Sequence, residues 1–221
     1  MNDFEKMWRN KVKRNLEIDK DSVLEKIYID NTKKDPVVYS RKLIKDLKEV
    51  MSDEHIQKLF SSCACHMPAS NLDKVKEIYE KTGSLKEAHT ALQKQFEKDI
   101  KSYKQLSDQE LQGIVRKGWG AAGILKDDSI IATKIPSAFH KYFKEEDPVK
   151  SAYYYCHCPR VRKELLEKKE LDSIYCYCGG GFYKNIWETI TSKPVRITVL
   201  KNLFDNNEVC QFKIEIEGHH Y

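Results

Sequence analysis

No apolar run in this chain of 221 residues approaches the ~20 residues that cross a bilayer. The opening Met-Asn-Asp-Phe-Glu-Lys lacks the basic-then-apolar pattern of a signal peptide. A cytoplasmic setting with no membrane partner is therefore expected. Neither sign of charge dominates: 39 basic residues stand against 34 acidic ones, largely interspersed, for a net charge of +5. That pattern describes a solvated surface, and no nucleic-acid partner is expected. There is no internal repeat and no low-complexity segment. The single glycine run, Gly179 to Gly181, lacks the Gly-Lys-Ser/Thr ending of a phosphate-binding loop. Cys-x-x-Cys, the usual zinc-ribbon spacing, is absent too.

Cysteine itself is plentiful. Seven cysteines, an odd number, in a chain without a secretion signal favour thiol, metal or catalytic roles over structural disulfides. Six of them form three Cys-x-Cys pairs: Cys63/Cys65 with His66 attached, Cys156/Cys158 around His157, and Cys176/Cys178 before the triple glycine.

The first 126 residues read as mainly helical. Phe4, Met7, Trp8, Val12 and Leu16 keep three-four spacing over 3–18, and Val23, Leu24, Ile27 and Tyr28 suggest a short second helix. Tyr39 to Met51 predicts a third helix, and Ser52 caps a fourth. Helices also follow Ser70 and the Ser84/Glu87 and Ser107/Glu110 capping boxes. The apolar period changes near Ser129. Residues 127–221 then read as α+β, continuous with the helical part in one fold. Strands are expected at 129–135, over Val195, Ile197 and Val199, and from Cys210 to Ile216, with a turn at Asp205-Asn206-Asn207. Ser137 caps a short helix ending near Asp147-Pro148.

The unit 153–183 reads strand, helix, strand, helix. On a strand, residues i and i+2 share a face, so each Cys-x-Cys would present two sulfurs together. Pro159 and the triple glycine would then open the two helices. Four converging thiols, Cys156, Cys158, Cys176 and Cys178, suit a tetrahedral zinc ion, with Cys210 as a fifth candidate. Two other readings stay open: buried thiols acting as small hydrophobes, and a nucleophile. In the last, the helix start lowers the pKa of Cys178 and His157 serves as base. Trp119, Lys134, Arg160, Phe182 and Tyr183 are the candidate ligand contacts, with Lys134 meeting an anion if it faces a pocket. The segment at Cys63 is either a second weak site or a lid.

The stretches Tyr-Cys-Tyr-Cys-Gly-Gly-Gly-Phe-Tyr-Lys-Asn-Ile-Trp-Glu, Lys-Pro-Val-Arg-Ile-Thr-Val-Leu and Asp-Asn-Asn-Glu-Val-Cys-Gln-Phe-Lys-Ile carry a resemblance. They are similar to the C-terminal half of 4-vinyl-reductase-like small-molecule-binding domains and of L-2-amino-thiazoline-4-carboxylic acid hydrolase-like proteins. The chain as a whole resembles an uncharacterised cysteine-rich bacterial branch. The resemblance covers the last 75 residues or so well and the helical half weakly. It implies an α+β fold, with helices packed on an antiparallel sheet and a pocket between them. In this chain Asn206-Asn207 replaces the usual Gly-Asp, and Thr-Val-Leu-Lys-Asn replaces the strand that bears a carboxylate and a cysteine ligand in metal-binding members. Any metal must therefore be held by other cysteines. The expected function is binding of a small ligand or a metal. The alternative is a cysteine-dependent hydrolase acting on a small carbon–nitrogen substrate. A small molecule is the expected partner, and a homodimer is the one protein partner allowed for.

Overall fold

Short polar residues fix where the helices begin. The structure, a computed structural model, describes residues 3–18, 35–127, 129–167, 170–205 and 208–218. Helix α1 spans Asp3–Ile18. Asp35 accepts hydrogen bonds from the Val37 and Val38 amides and starts α2, Pro36–Lys48, with proline in its first turn. Ser52 caps α3, Asp53–Ser62. Helix α4, Asp73–Thr82, ends on Gly83 in the left-handed conformation. Ser84 caps α5, Leu85–Lys104, by accepting from the Glu87 amide. Ser107 and Glu110 form a complete reciprocal capping box at α6, Asp108–Arg116. The expected helix at Val23–Tyr28, the Asn206-Asn207 turn, and His219 and His220 lie outside the described residues.

The C-terminal part contains the expected antiparallel sheet: β1 (Ile124–Leu125), β2 (Ile130–Thr133), β3 (Val195–Lys201) and β4 (Gln211–Ile216). Their order is β1-β2-β4-β3, with every neighbour antiparallel. Phe212, Ile214 and Ile216 alternate inward from β4 as the pattern requires. The fold is α+β, with helices first and a sheet toward the C-terminus. Among the described residues no helix is long and apolar enough to cross a membrane.

The expected strands at 153–158 and 174–178 are not strands. Asp147 accepts from the Val149 and Lys150 amides, each at 2.9 Å, and Pro148 occupies the first turn of α8, Pro148–Tyr155. The aromatic triplet thus lies in a helix, because a cap and an N-terminal proline outweigh the strand preference of tyrosine. Helix α7 is only Phe139–Tyr142, and α9 covers Pro159–Leu166. Asp172 accepts from the Ile174 amide at 2.9 Å and opens a 3-10 turn, Ser173–Cys176, that runs straight into α10, Tyr177–Thr191. The triple glycine therefore sits within the first turns of α10 and makes no turn of its own.

Two of the three helical glycines there answer to a neighbour. A Cβ on Gly181 would collide with the Ser61 carbonyl of α3 and lie 2.7 Å from Ala64 Cβ. One on Gly180 would lie 2.5 Å from Ile197 Cγ2 and 3.1 Å from the Phe212 ring. The absent side chains let α10 nest between α3 and the sheet. Two cores flank it. One gathers Trp8, Leu47, Phe60, Tyr155 and Tyr175; the other joins α4, α5, α10 and the sheet through Leu92, Trp187, Phe212 and Ile214.

Candidate functional site

Between the two cores lies a cavity of about 570 Å³. Six of the seven cysteines line it: Cys65, Cys156, Cys158, Cys176, Cys178 and Cys210. Helix geometry scatters them. Residues i and i+2 on a helix point in widely different directions, so Cys176 and Cys178 do not share a face. Cys176 has Cys210, Cys156 and Cys158 as electrostatic neighbours. Cys178 has Cys158, Cys63 and Cys65. Cys158 sits between the two groups, its sulfur 4.0 Å from the Tyr175 hydroxyl. The pairing of sulfurs expected from strand alternation is thus replaced by thiols distributed around a wall. Among the described residues no three Cys, His, Asp or Glu side chains are gathered as a metal ion would need. The quartet Cys156, Cys158, Cys176 and Cys178, as placed here, does not fit a tetrahedral zinc site.

Burial also disfavours the thiolate form at Cys156, Cys176, Cys178 and Cys210. Burial pushes Cys178 up to about 12, with Cys158 adding to the rise and only the Trp8 indole opposing it. Burial likewise raises Cys210 to about 11, and raises Cys156 and Cys176 well above the ordinary thiol range. The start of α10 was expected to lower Cys178; loss of hydration outweighs that helix-end effect. The Trp8 indole N–H has no hydrogen-bond partner at bonding distance and faces this sulfur.

His157 is held elsewhere. Its Nε2 lies 2.7 Å from the Ile135 carbonyl and therefore carries the proton. Surrounding protein and then the Lys134 ammonium lower its pKa to about 4, although the residue keeps an exposed edge. Lys104 and Arg162 act in the same direction. No hydrogen bond joins His157 to Cys178 among the described residues, so the expected base and nucleophile are not paired. The lowered value has a measurable consequence. The unfolded imidazole takes its proton near ~6.5, so this group's contribution is intact above that pH and is lost as pH falls toward 4. Glutamine at 157 can keep the bond to Ile135 without titrating. Urea midpoints of His157→Gln should therefore fall less steeply than wild type between pH 7 and 4. Equal slopes would reject this role.

The other candidates separate clearly. Phe182, Tyr183 and Lys134 line the cavity. Arg160 lines it as well, but its guanidinium is buried against Glu5, donates to the Tyr175 hydroxyl at 3.0 Å and stacks 4.2 Å over Trp8. Its charge is already answered. Trp119 is not in the wall; its ring packs at 5.9 Å on Phe143 and 6.4 Å on Tyr155, in a neighbouring aromatic cluster. The adjoining Gly120 and Ala121 reach the cavity instead. The Cys63 segment divides likewise. Cys63 is buried in the first core, where the Asn15 amide donates to its sulfur at 3.4 Å, while Cys65 and Met67 border the cavity.

Several wall residues carry no functional signal in the sequence: Trp8 reads as the apolar face of the first helix, and Tyr175, like Tyr155, as an aromatic of an expected strand beside the cysteines. The Tyr155 hydroxyl donates to the Lys134 carbonyl at 2.6 Å and accepts from the Cys210 amide at 2.9 Å, tying the end of α8 to β2 and β4. Phe96 of α5 lies so close over Gly120 that any Cβ there would collide with its ring. The signal for this wall was the small-residue stretch after Trp119. Compared with protein-family models, with curated proteins and with solved structures, the chain finds no match, and the site's own geometry has to carry the reading.

Proposed function

We propose that the chain binds a small, mostly apolar molecule in the thiol-lined cavity. One observation carries this: a cavity of about 570 Å³, within the usual range for small-molecule sites, lies between two cores and is walled by aromatic rings and cysteine side chains. The resemblance to 4-vinyl-reductase-like domains leads to the same expectation. The scatter of the sulfurs favours ligand binding over a closed zinc site, and the raised pKa of Cys178 favours it over an activated nucleophile there.

Gly179 provides the test. A Cβ there would meet only ordinary contacts, 3.5 Å from Phe212 and 3.6 Å from Lys134 Nζ, so a leucine occupies ligand space without disturbing the helix. N-phenyl-1-naphthylamine, a neutral apolar fluorophore, should bind the wild type saturably at one site. Gly179→Leu should weaken it at least tenfold at an unchanged melting temperature. Absence of saturable binding, or equal binding by the variant, would reject the reading. Stoichiometric zinc retained through anaerobic purification and lost in Cys176→Ser would move it to a metal site.

A further inference from the structure

We infer that the ligand of this cavity is an anion with an apolar body, whose head group is received by the Lys134 ammonium; the inference rests on the cavity being a ligand site. Lys134 follows the last residue of β2 and reaches the first turn of α10, as its 3.6 Å approach to a Cβ built on Gly179 shows. Its charge acts on Cys65, Cys156, Cys176 and Cys210 and on the His157 ring, so the ammonium is central to the thiol wall.

Among the described residues that charge has no counterpart in the wall, which contains Lys134, His157 and Arg160 but no aspartate or glutamate. Among the described residues no carboxylate pairs with Lys134, whose nearest aromatic face is Phe182, with the ring centroid at 5.7 Å. Arg160 shows the contrast, since Glu5 answers it directly. One negative charge placed beside the Lys134 ammonium would answer it. A neutral ligand would leave that half-buried ammonium without a counter-charge on the cavity side.

The rest of the wall defines the body of the ligand. Trp8, Phe96, Tyr183 and Phe212 present apolar faces, and burial disfavours the thiolate form at Cys156, Cys176, Cys178 and Cys210, so these polarisable sulfurs do not repel an anion. An elongated or flat carboxylate fits this description.

Competition against bound N-phenyl-1-naphthylamine tests it, with decanoate and decan-1-ol sharing a chain and differing in the head. In Lys134→Met, displacement by decanoate should weaken at least tenfold, while the fluorophore and decan-1-ol stay within about twofold of wild type. Lys134→Gln, which keeps a polar side chain without the charge, should behave the same way. Unchanged decanoate affinity, or a parallel loss for decanoate and decan-1-ol, would overturn the anion assignment and leave the cavity reading standing. If the fluorophore does not bind the wild type, the cavity reading fails and the anion assignment falls with it.

Discussion

Gly181→Ala is expected to destabilise the protein strongly, while Gly179→Ala, two residues away on the same helix, leaves it unchanged or slightly more stable. Intrinsic preference alone favours alanine at either site by roughly 0.5–1 kcal/mol. Contact reverses the sign at 181. The added methyl would enter the Ser61 carbonyl of α3 and crowd Ala64, and neither is a flexible side-chain tip able to swing away. Overpacking of a tight core costs about 1–3 kcal/mol and occasionally more. A backbone obstacle places Gly181→Ala at or above the upper end, ~3 kcal/mol. For a chain of this size that corresponds to a drop of roughly 6–12 °C in melting temperature. Gly180→Ala should fall between, because the obstacles that it meets, Ile197 and Phe212, are side chains that can shift by a few tenths of an ångström where a backbone carbonyl cannot. Urea unfolding of the three alanine variants checks the ranking. Equal stabilities at 179 and 181 would mean that α3 does not pack on α10 as described.

The same glycines show what the sequence made legible and what it did not. Strand alternation at Phe212 to Ile216, the Ser107/Glu110 capping box, the Ser84 cap and the buried Trp8, Val12 and Leu16 of α1 depend on local chemistry, and each survives in the fold, whereas Met7 is exposed. The Tyr-Tyr-Tyr and Ile-Tyr-Cys-Tyr segments carry strand-like side chains, yet Asp147-Pro148 and Asp172 had already committed them to helices. Reading Asp147-Pro148 as the end of one helix instead of the beginning of the next hid α8. That slip turned alternating cysteines into a supposed four-sulfur cluster. The cavity is a different matter. Trp8, Phe96 and Phe212 come from elements far apart in the chain, and nothing in their local pattern tells a wall residue from a core residue. Lys134 was the exception. A lysine inside an apolar strand is anomalous from sequence alone, and it faces the cavity.

Glu5→Gln should cost about 3–5 kcal/mol, the usual price of breaking a buried ion pair from one side. Glu5 is only 4% exposed and lies between two equally buried guanidiniums, Arg9 at 1% and Arg160 at 3%. It receives Arg9 Nε at 2.5 Å and pairs with Arg160, joining α1 to α9 across most of the sequence. Both guanidiniums lie over aromatic faces, Arg9 over Tyr39 at 3.8 Å and Arg160 over Trp8 at 4.2 Å. Removing the carboxylate keeps those stacks but takes away the charge that offsets the desolvation of the two arginines. Because Trp8 forms part of the cavity wall, loosened α1 packing should also weaken fluorophore binding. Arg160→Met removes one of the two guanidiniums on Glu5 and the bond to the Tyr175 hydroxyl, and should likewise destabilise. Lys134→Met, at a cation without a counter-charge, should leave the melting temperature within about 2 °C of wild type, since it breaks no pair. Thermal melts of the three variants divide the two basic residues of the wall by task, one holding α1 in place and the other free for a ligand. If Arg160→Met were as stable as Lys134→Met, the structural role given to Arg160 would be wrong, and its guanidinium would return as a ligand contact.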